Sequence, residues 1–217
     1  MRKVYVVGEA KHYANFIQDI EHTDNLDEAD IVIFTGGEDV NPKLYGAKMH
    51  PTTYCDPKRD AYEVEIFKKI KTNQLVVGIC RGSQFICVMN GGKLIQNVNN
   101  HGIFGTHPIY VYDYGVTYEI TSTHHQMQYP YNLPSLDYTV KAIAYPKRST
   151  IYEGDGINEN NIMIDGEPEI VLYHKENTPR CIAIQGHPEY MRKEAPIVEY
   201  LNEFINEQLN SIKNGNN

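Results

Sequence analysis

The chain has 217 residues, enough for one sizeable α/β domain and too few for two ordinary ones. An apolar fraction of 41% can supply a core, and a formal charge of −8 excludes the basic stripe of a nucleic-acid binder. No apolar run approaches the roughly 18 residues of a membrane span, and the run after Met1-Arg2-Lys3 is too short for a signal peptide, so a soluble, cytoplasmic protein without membrane or nucleic-acid partners is expected.

In chain order, Arg2 to Gly8 reads as a first strand and His12 to Ile20 as a short amphipathic helix. Ile31-Val32-Ile33-Phe34 is a continuous apolar run, the pattern of a strand buried on both faces. It ends in Thr35-Gly36-Gly37-Glu38-Asp39, either a backbone cradle for an anion or an ordinary strand-to-helix turn. Asn41 to Pro57 is loop-like, and Tyr62, Ile66, Phe67 and Ile70 place a helix within 58–71. Leu75 to Ile79 is another buried strand, followed by Cys80 and a helical run to Met89 that Asn90-Gly91-Gly92 stops. Short alternating segments at Pro108–Tyr112, Tyr118–Thr123 and Tyr138–Ala144 predict antiparallel strands at one sheet edge. Residues 145–168 read as a loop or small hairpin, a candidate lid by length. Glu169–Tyr173 and Cys181–Gln185 are two more strands, and Ile197 to Ile212 carry helical spacing. One domain over 1–213 with a frayed tail at 214–217 is expected.

The chemistry gathers on Gly78-Ile79-Cys80-Arg81-Gly82. Glycine two before and two after a central nucleophile, between a strand and a helix, is the pattern of a nucleophile elbow. The turn places Cys80 at a helix N-terminus, where unpaired N–H groups favour a thiolate. Cys55, Cys80, Cys87 and Cys181 lack the C-x-x-C spacing of a metal site and read as free thiols. A thiolate nucleophile needs a base and a carboxylate to orient it. His187 and Glu189 flank a proline just after a strand and suit those roles. The backbone N–H groups of Arg81 and Gly37 could receive an oxyanion. The Arg81 side chain is open to two readings, a clamp for a substrate carboxylate or a surface charge. His124-His125 lacks the usual ligand spacing, and no metal is expected there.

Gly78-Ile79-Cys80-Arg81-Gly82-Ser83-Gln84, together with Gln185-Gly186-His187-Pro188-Glu189, resembles the class I glutamine amidotransferase superfamily. The resemblance implies a flavodoxin-like three-layer α/β sandwich, mostly parallel with antiparallel edge strands, and a Cys-His-Glu triad that forms a γ-glutamyl thioester. Carried onto this chain, it makes Cys80 the nucleophile, His187 the base and Glu189 its orienter. Gly37 and Arg81 become the oxyanion hole, and Gln84 a holder of the glutamyl group. Gly36 to Pro42 with Tyr45-Gly46, Arg59-Asp60 with Glu63, and Ser122 to Gln126 further resemble the free-standing γ-glutamyl hydrolases, which adds His125 and Gln126 as substrate-binding residues. Two positions depart from the pattern: Gly186 stands where an aromatic residue is usual, and Thr35 where a proline is.

The implied activity is cysteine-dependent hydrolysis of a small γ-glutamyl amine or amidate, with no metal or organic cofactor and a small-molecule γ-glutamyl substrate. The alternatives are a glutaminase subunit passing ammonia to a separate synthetase, and a non-catalytic or redox-sensing member of the fold. A homodimer is compatible with all three.

Overall fold

The computed structural model describes residues 1–215; Asn216 and Asn217, in the expected frayed tail, lie outside the described residues. The chain begins with β1 (Arg2–Val6), β2 (Ile20–His22), β3 (Ile31–Phe34), α1 (Pro57–Phe67), β4 (Leu75–Ile79) and α2 (Arg81–Met89). It continues through β5 (Lys93–Ile95), β6 (Asn97–Val98), β7 (Gly102–Val111), β8 (Val116–Thr123), β9 (Met127–Tyr129) and β10 (Tyr138–Ala144). It closes with β11 (Tyr152–Glu153), α3 (Glu159–Asp165), β12 (Pro168–Tyr173), β13 (Cys181–Ile184) and α4 (Pro196–Lys213).

Nine of the described strands form one sheet in the order β2-β1-β3-β4-β13-β12-β10-β7-β8. The half from β2 to β13 is parallel. From β12 to β8 every pairing is antiparallel. Every residue of β3, β4, β12 and β13 is buried. Their unbroken apolar runs follow from that position, because a central strand covered by helices on both faces has no side for polar residues. One core packs the apolar side of α4 against Val4, Ile31, Ile33 and Val77. A second packs Phe85, Ile86 and Val88 of α2 with Ile66 against Val32, Phe34 and Val76. This is the expected flavodoxin-like α/β layering with antiparallel edge strands.

Two local expectations are corrected. Between His12 and Ile20 there is a single 3-10 turn at Lys11–Ala14, and then the edge strand β2. Asn202 on α4 accepts from Gln18 N at 2.8 Å and donates to Phe16 O at 2.8 Å. Those bonds hold the turns and bends of 15–19 in place while Phe16 and Ile17 sink into the core. Long-range pairing thus replaced a helix that short-range spacing favoured. Residues 145–168 are not a bare loop: β11 pairs with β6, α3 follows, and Tyr152 and Ile162 join Ile95, Val98, Met127 and Tyr129 in a small third core.

Candidate active site

The elbow follows from crowding. Cys80 has φ 53° and ψ −110°, a backbone conformation that L residues rarely adopt. Such strain costs on the order of 1–3 kcal/mol and persists only where the surroundings over-determine it. They do here. A side-chain carbon on Gly82 would lie 2.1 Å from the Phe34 carbonyl oxygen, and one on Gly78 would lie 2.4 Å from that of Gly82, so strand and helix approach too closely for any other residue. The Cys80 N–H donates to Ile184 O at 2.8 Å, which ties the elbow to the end of β13.

Three residues beyond the end of β13, His187 Nδ1 and Glu189 Oε1 lie 2.8 Å apart, with the Glu189 side chain buried. The imidazole face stacks on Tyr190 at 5.3 Å and 22°. Burial by itself would lower the His187 pKa. The Cys80 sulfur and the Glu189 carboxylate outweigh it and push His187 up to about 10, so the imidazolium is the favoured form beside the thiol. The His187 N–H donates to Thr121 O at 3.2 Å, and the Thr121 hydroxyl donates back to His187 O at 2.5 Å. Strand β8 therefore holds His187 from its far side. Gly186 is required for that contact: a side-chain carbon there would stand 2.6 Å from Thr121 O and 2.7 Å from Ile120. Tyr190 supplies the aromatic contact that an aromatic residue at 186 could not.

Both open readings of the Arg81 side chain are overturned. It is among the largest fully buried side chains, bound to Asp60 Oδ1 at 2.5 Å and to Glu63. Glu63 also accepts from Arg59 Nε at 2.8 Å, and Arg59 donates onward to Gly36 O at 2.9 Å and pairs with Glu38 at 3.0 Å. Two arginines and three carboxylates thus lock the turn after β3 to the start of α2. This fixes Gly37, at φ 137°, on the rim beside Cys80.

The cavity at Cys80 measures about 170 Å³ and is lined by Gly37, Arg81, Gln84, Tyr54, His125 and Gln126 among others. All the residues read from the sequence as site residues outside the His-Glu pair therefore border one space. Gln84 Nε2 donates to Gln126 O at 2.9 Å, and Gln126 Nε2 donates to Thr53 Oγ1 at 3.0 Å, leaving Gln126 Oε1 buried with no hydrogen-bond partner among the described residues. His125 is half-exposed, its Nε2 3.0 Å from Asp39 Oδ1, whose other oxygen accepts from Tyr54 N at 2.9 Å. The hydrogen bond that the His125 ring donates to the Asp39 carboxylate raises the His125 pKa against the cost of burial. Asp39, Tyr54 and Thr53 were missed in the sequence. Asp39 lies in the Gly-Gly turn, but its partner is 86 positions away, and nothing local marks the pairing. Behind the wall, adjacent His124 points the other way, toward a buried cluster of His101, His107 and Glu169. Residues 145–168 do not line the cavity, so the structure gives them no lid role there.

Comparison with known proteins finds relatives in sequence and in fold. The Peptidase C26 family matches residues 14–131, more than half of the chain and including Cys80 but not His187. Protein NtpR of Enterococcus hirae is 25% identical over 186 residues, covering 76% of this chain and 68% of NtpR. A glutamine amidotransferase-like protein of Lactococcus lactis subsp. cremoris, the YvdE homologue, is 36% identical over 86 residues, 37% of this chain and 46% of that protein. The chain thus matches less than half of the length of the latter. In fold, a Thermotoga maritima glutamine amidotransferase superposes with TM-score 0.55 at 14% identity, covering 98% of this chain and 94% of that one. The elbow, the mixed sheet and these matches together show that the chain belongs to the Peptidase C26 family, within the class I glutamine amidotransferase-like superfamily.

Proposed function

We propose that the protein is a cysteine-dependent hydrolase of γ-glutamyl amides, cleaving a small γ-glutamyl amine or amidate to release glutamate. The observation that carries the reading is the strained Cys80 elbow facing an imidazole whose other nitrogen is held 2.8 Å from Glu189. The Cys80 thiolate attacks the γ-carbonyl carbon, and the developing oxyanion accepts from the backbone N–H groups of Gly37 and Arg81. His187 gives its proton to the departing nitrogen, leaving a thioester on Cys80. Neutral His187 then takes a proton from water, whose oxygen attacks the thioester, and the proton returns as sulfur leaves. Gln84, His125 and Gln126 line the cavity and suit the polar end of a glutamyl group.

The test is a panel of γ-glutamyl amides assayed for released glutamate, with glutamine as one member. Preference for substituted amides supports this reading. A strong preference for glutamine that appears only with a synthetase present would favour an ammonia-delivering subunit instead.

A further inference from the structure

We propose that His101, His107, His124 and Glu169 form a closed structural site for a divalent transition metal, with zinc as the best fit. His101 lies just before β7, His107 within it, His124 just after β8 and Glu169 in β12, and all are buried, at 0%, 0%, 3% and 0% exposure. His107 Nε2, His101 Nδ1 and His124 Nε2 stand 3.3, 3.4 and 3.9 Å from Glu169 Oε1. One ligand atom from each of the four lies within 4.8 Å of all the others. Nitrogen and oxygen ligands about 2.0–2.2 Å from a tetrahedral ion stand about 3.3–3.6 Å apart, so the spacing is that of a first coordination sphere after small adjustment.

Hydrogen bonding points to the same centre. His101 Nδ1, His107 Nε2, His124 Nε2 and both oxygens of Glu169 have no hydrogen-bond partner among the described residues. The opposite nitrogen of each ring does have one. His101 Nε2 meets Glu167 Oε2 at 3.3 Å, His107 Nδ1 meets Pro108 O at 3.2 Å, and His124 Nδ1 meets Gln126 O at 2.9 Å. In each case the outward nitrogen donates its N–H to that oxygen, which leaves the other ring nitrogen facing Glu169, in position to offer a lone pair to a metal. That is the outer-shell pattern of metal-binding histidines, which donate their second nitrogen to a carboxylate or a backbone carbonyl. Glu167 is itself held by Ser149 N at 2.7 Å, Arg148 N at 2.8 Å and Tyr152 Oη at 2.6 Å. A buried carboxylate with both oxygens unbonded costs stability unless a cation faces it.

Three imidazoles and one carboxylate with no solvent-facing position make a structural site rather than a catalytic one, and the nitrogen-rich tetrahedral set suits zinc. The ion would join β12 to the hairpin of β7 and β8. Through His124 it would also set the Gln126 carbonyl that Gln84 binds, and so the wall of the Cys80 cavity.

The test uses untagged full-length protein, produced in zinc-supplemented medium and dialysed, with metal measured by mass spectrometry. Because the site is sealed, a second sample is unfolded with a chelator and refolded with Co²⁺. The expected result is about one zinc per chain, intense visible absorption typical of tetrahedral cobalt, and a Tm higher by about 5 °C or more than that of chelator-refolded protein. His107→Leu should reduce the zinc to below about a tenth of an equivalent. Should that variant not fold, the cobalt spectrum of the natural sequence decides. Metal below a tenth of an equivalent, no visible cobalt band and no Tm response would overturn the proposal and leave a proton shared among the imidazoles as the countercharge. None of these readouts depends on the proposed reaction.

Discussion

The Thr121 carbonyl oxygen lies 2.6 Å from the point where a side-chain carbon on Gly186 would stand, so β8 and the chain leading to His187 touch backbone to backbone. Overpacking at such a point forces the backbone apart at a cost of about 1–3 kcal/mol. Gly186→Ala should lose that much stability by urea denaturation. It should also lower kcat more than it raises KM, because the residue displaced is the base rather than the cavity wall.

Cys80→Ala and Cys80→Ser should each reduce turnover of any γ-glutamyl amide by roughly 10³-fold or more, as removal of a nucleophile does elsewhere. Mass spectrometry of the natural protein during turnover should show one added γ-glutamyl group that neither variant acquires. Cys80→Gly should be as inactive as Cys80→Ala yet more stable by about 1 kcal/mol, since glycine accepts φ 53° without strain. Equal stability of the two would mean that the elbow stores no strain.

Glu189→Gln keeps the shape of the contact with His187 but removes its charge. We expect a loss of about 10²–10⁴ in kcat and a lower His187 titration midpoint by NMR. The folded chain holds the His187 proton more tightly than the unfolded chain, with a pKa of about 10 against 6.5. That contribution to stability is therefore complete below pH 6.5 and fades as pH rises toward 10. The stability difference between the natural protein and His187→Gln should shrink over that window in urea titrations. A difference that grew with pH would show the sign to be wrong.

Arg81→Met leaves Asp60 and Glu63 buried without their guanidinium. Breaking a buried pair from one side costs about 3–5 kcal/mol, and the midpoint of unfolding should fall accordingly. Any Arg81→Met that folds should keep the Gly37 and residue 81 backbone donors and so retain part of its activity, whereas a carboxylate clamp would show a large rise in KM.

His125→Ala should raise KM several-fold with little change in kcat, because the ring lines the cavity and pairs with Asp39. Steady-state kinetics on one γ-glutamyl amide checks the split.

What could be read from the sequence was local. The elbow is seven contiguous residues in which a buried strand, a strained turn and a helix each leave their own mark, and His187 could be found because it follows a strand ending at the same edge. The apolar runs of β3, β4 and β13 marked buried strands, while the flavodoxin-like fold class came from the family resemblance. What escaped was made by distant pairing. Arg81 looked like a free charge because its carboxylates lie 18 and 21 positions earlier, on one side of α1. The segment before β2 looked helical until Asn202, far along the chain, took its backbone groups. His124 reads as half of a dipeptide in sequence, but its neighbours in space are His101 just before β7, His107 within β7 and Glu169 on β12, brought together only by antiparallel register.

The bond from Cys80 N to Ile184 O joins strands that are adjacent in space and about a hundred residues apart in sequence. Closing so long a loop is slow, and contacts of this kind form late. Cys80 and His187, the proposed nucleophile and base, therefore meet only after His187 has been synthesised and β13 has docked beside β4. During translation the Cys80 thiol would exist without His187, and the proposed chemistry would become possible in one late step rather than by degrees.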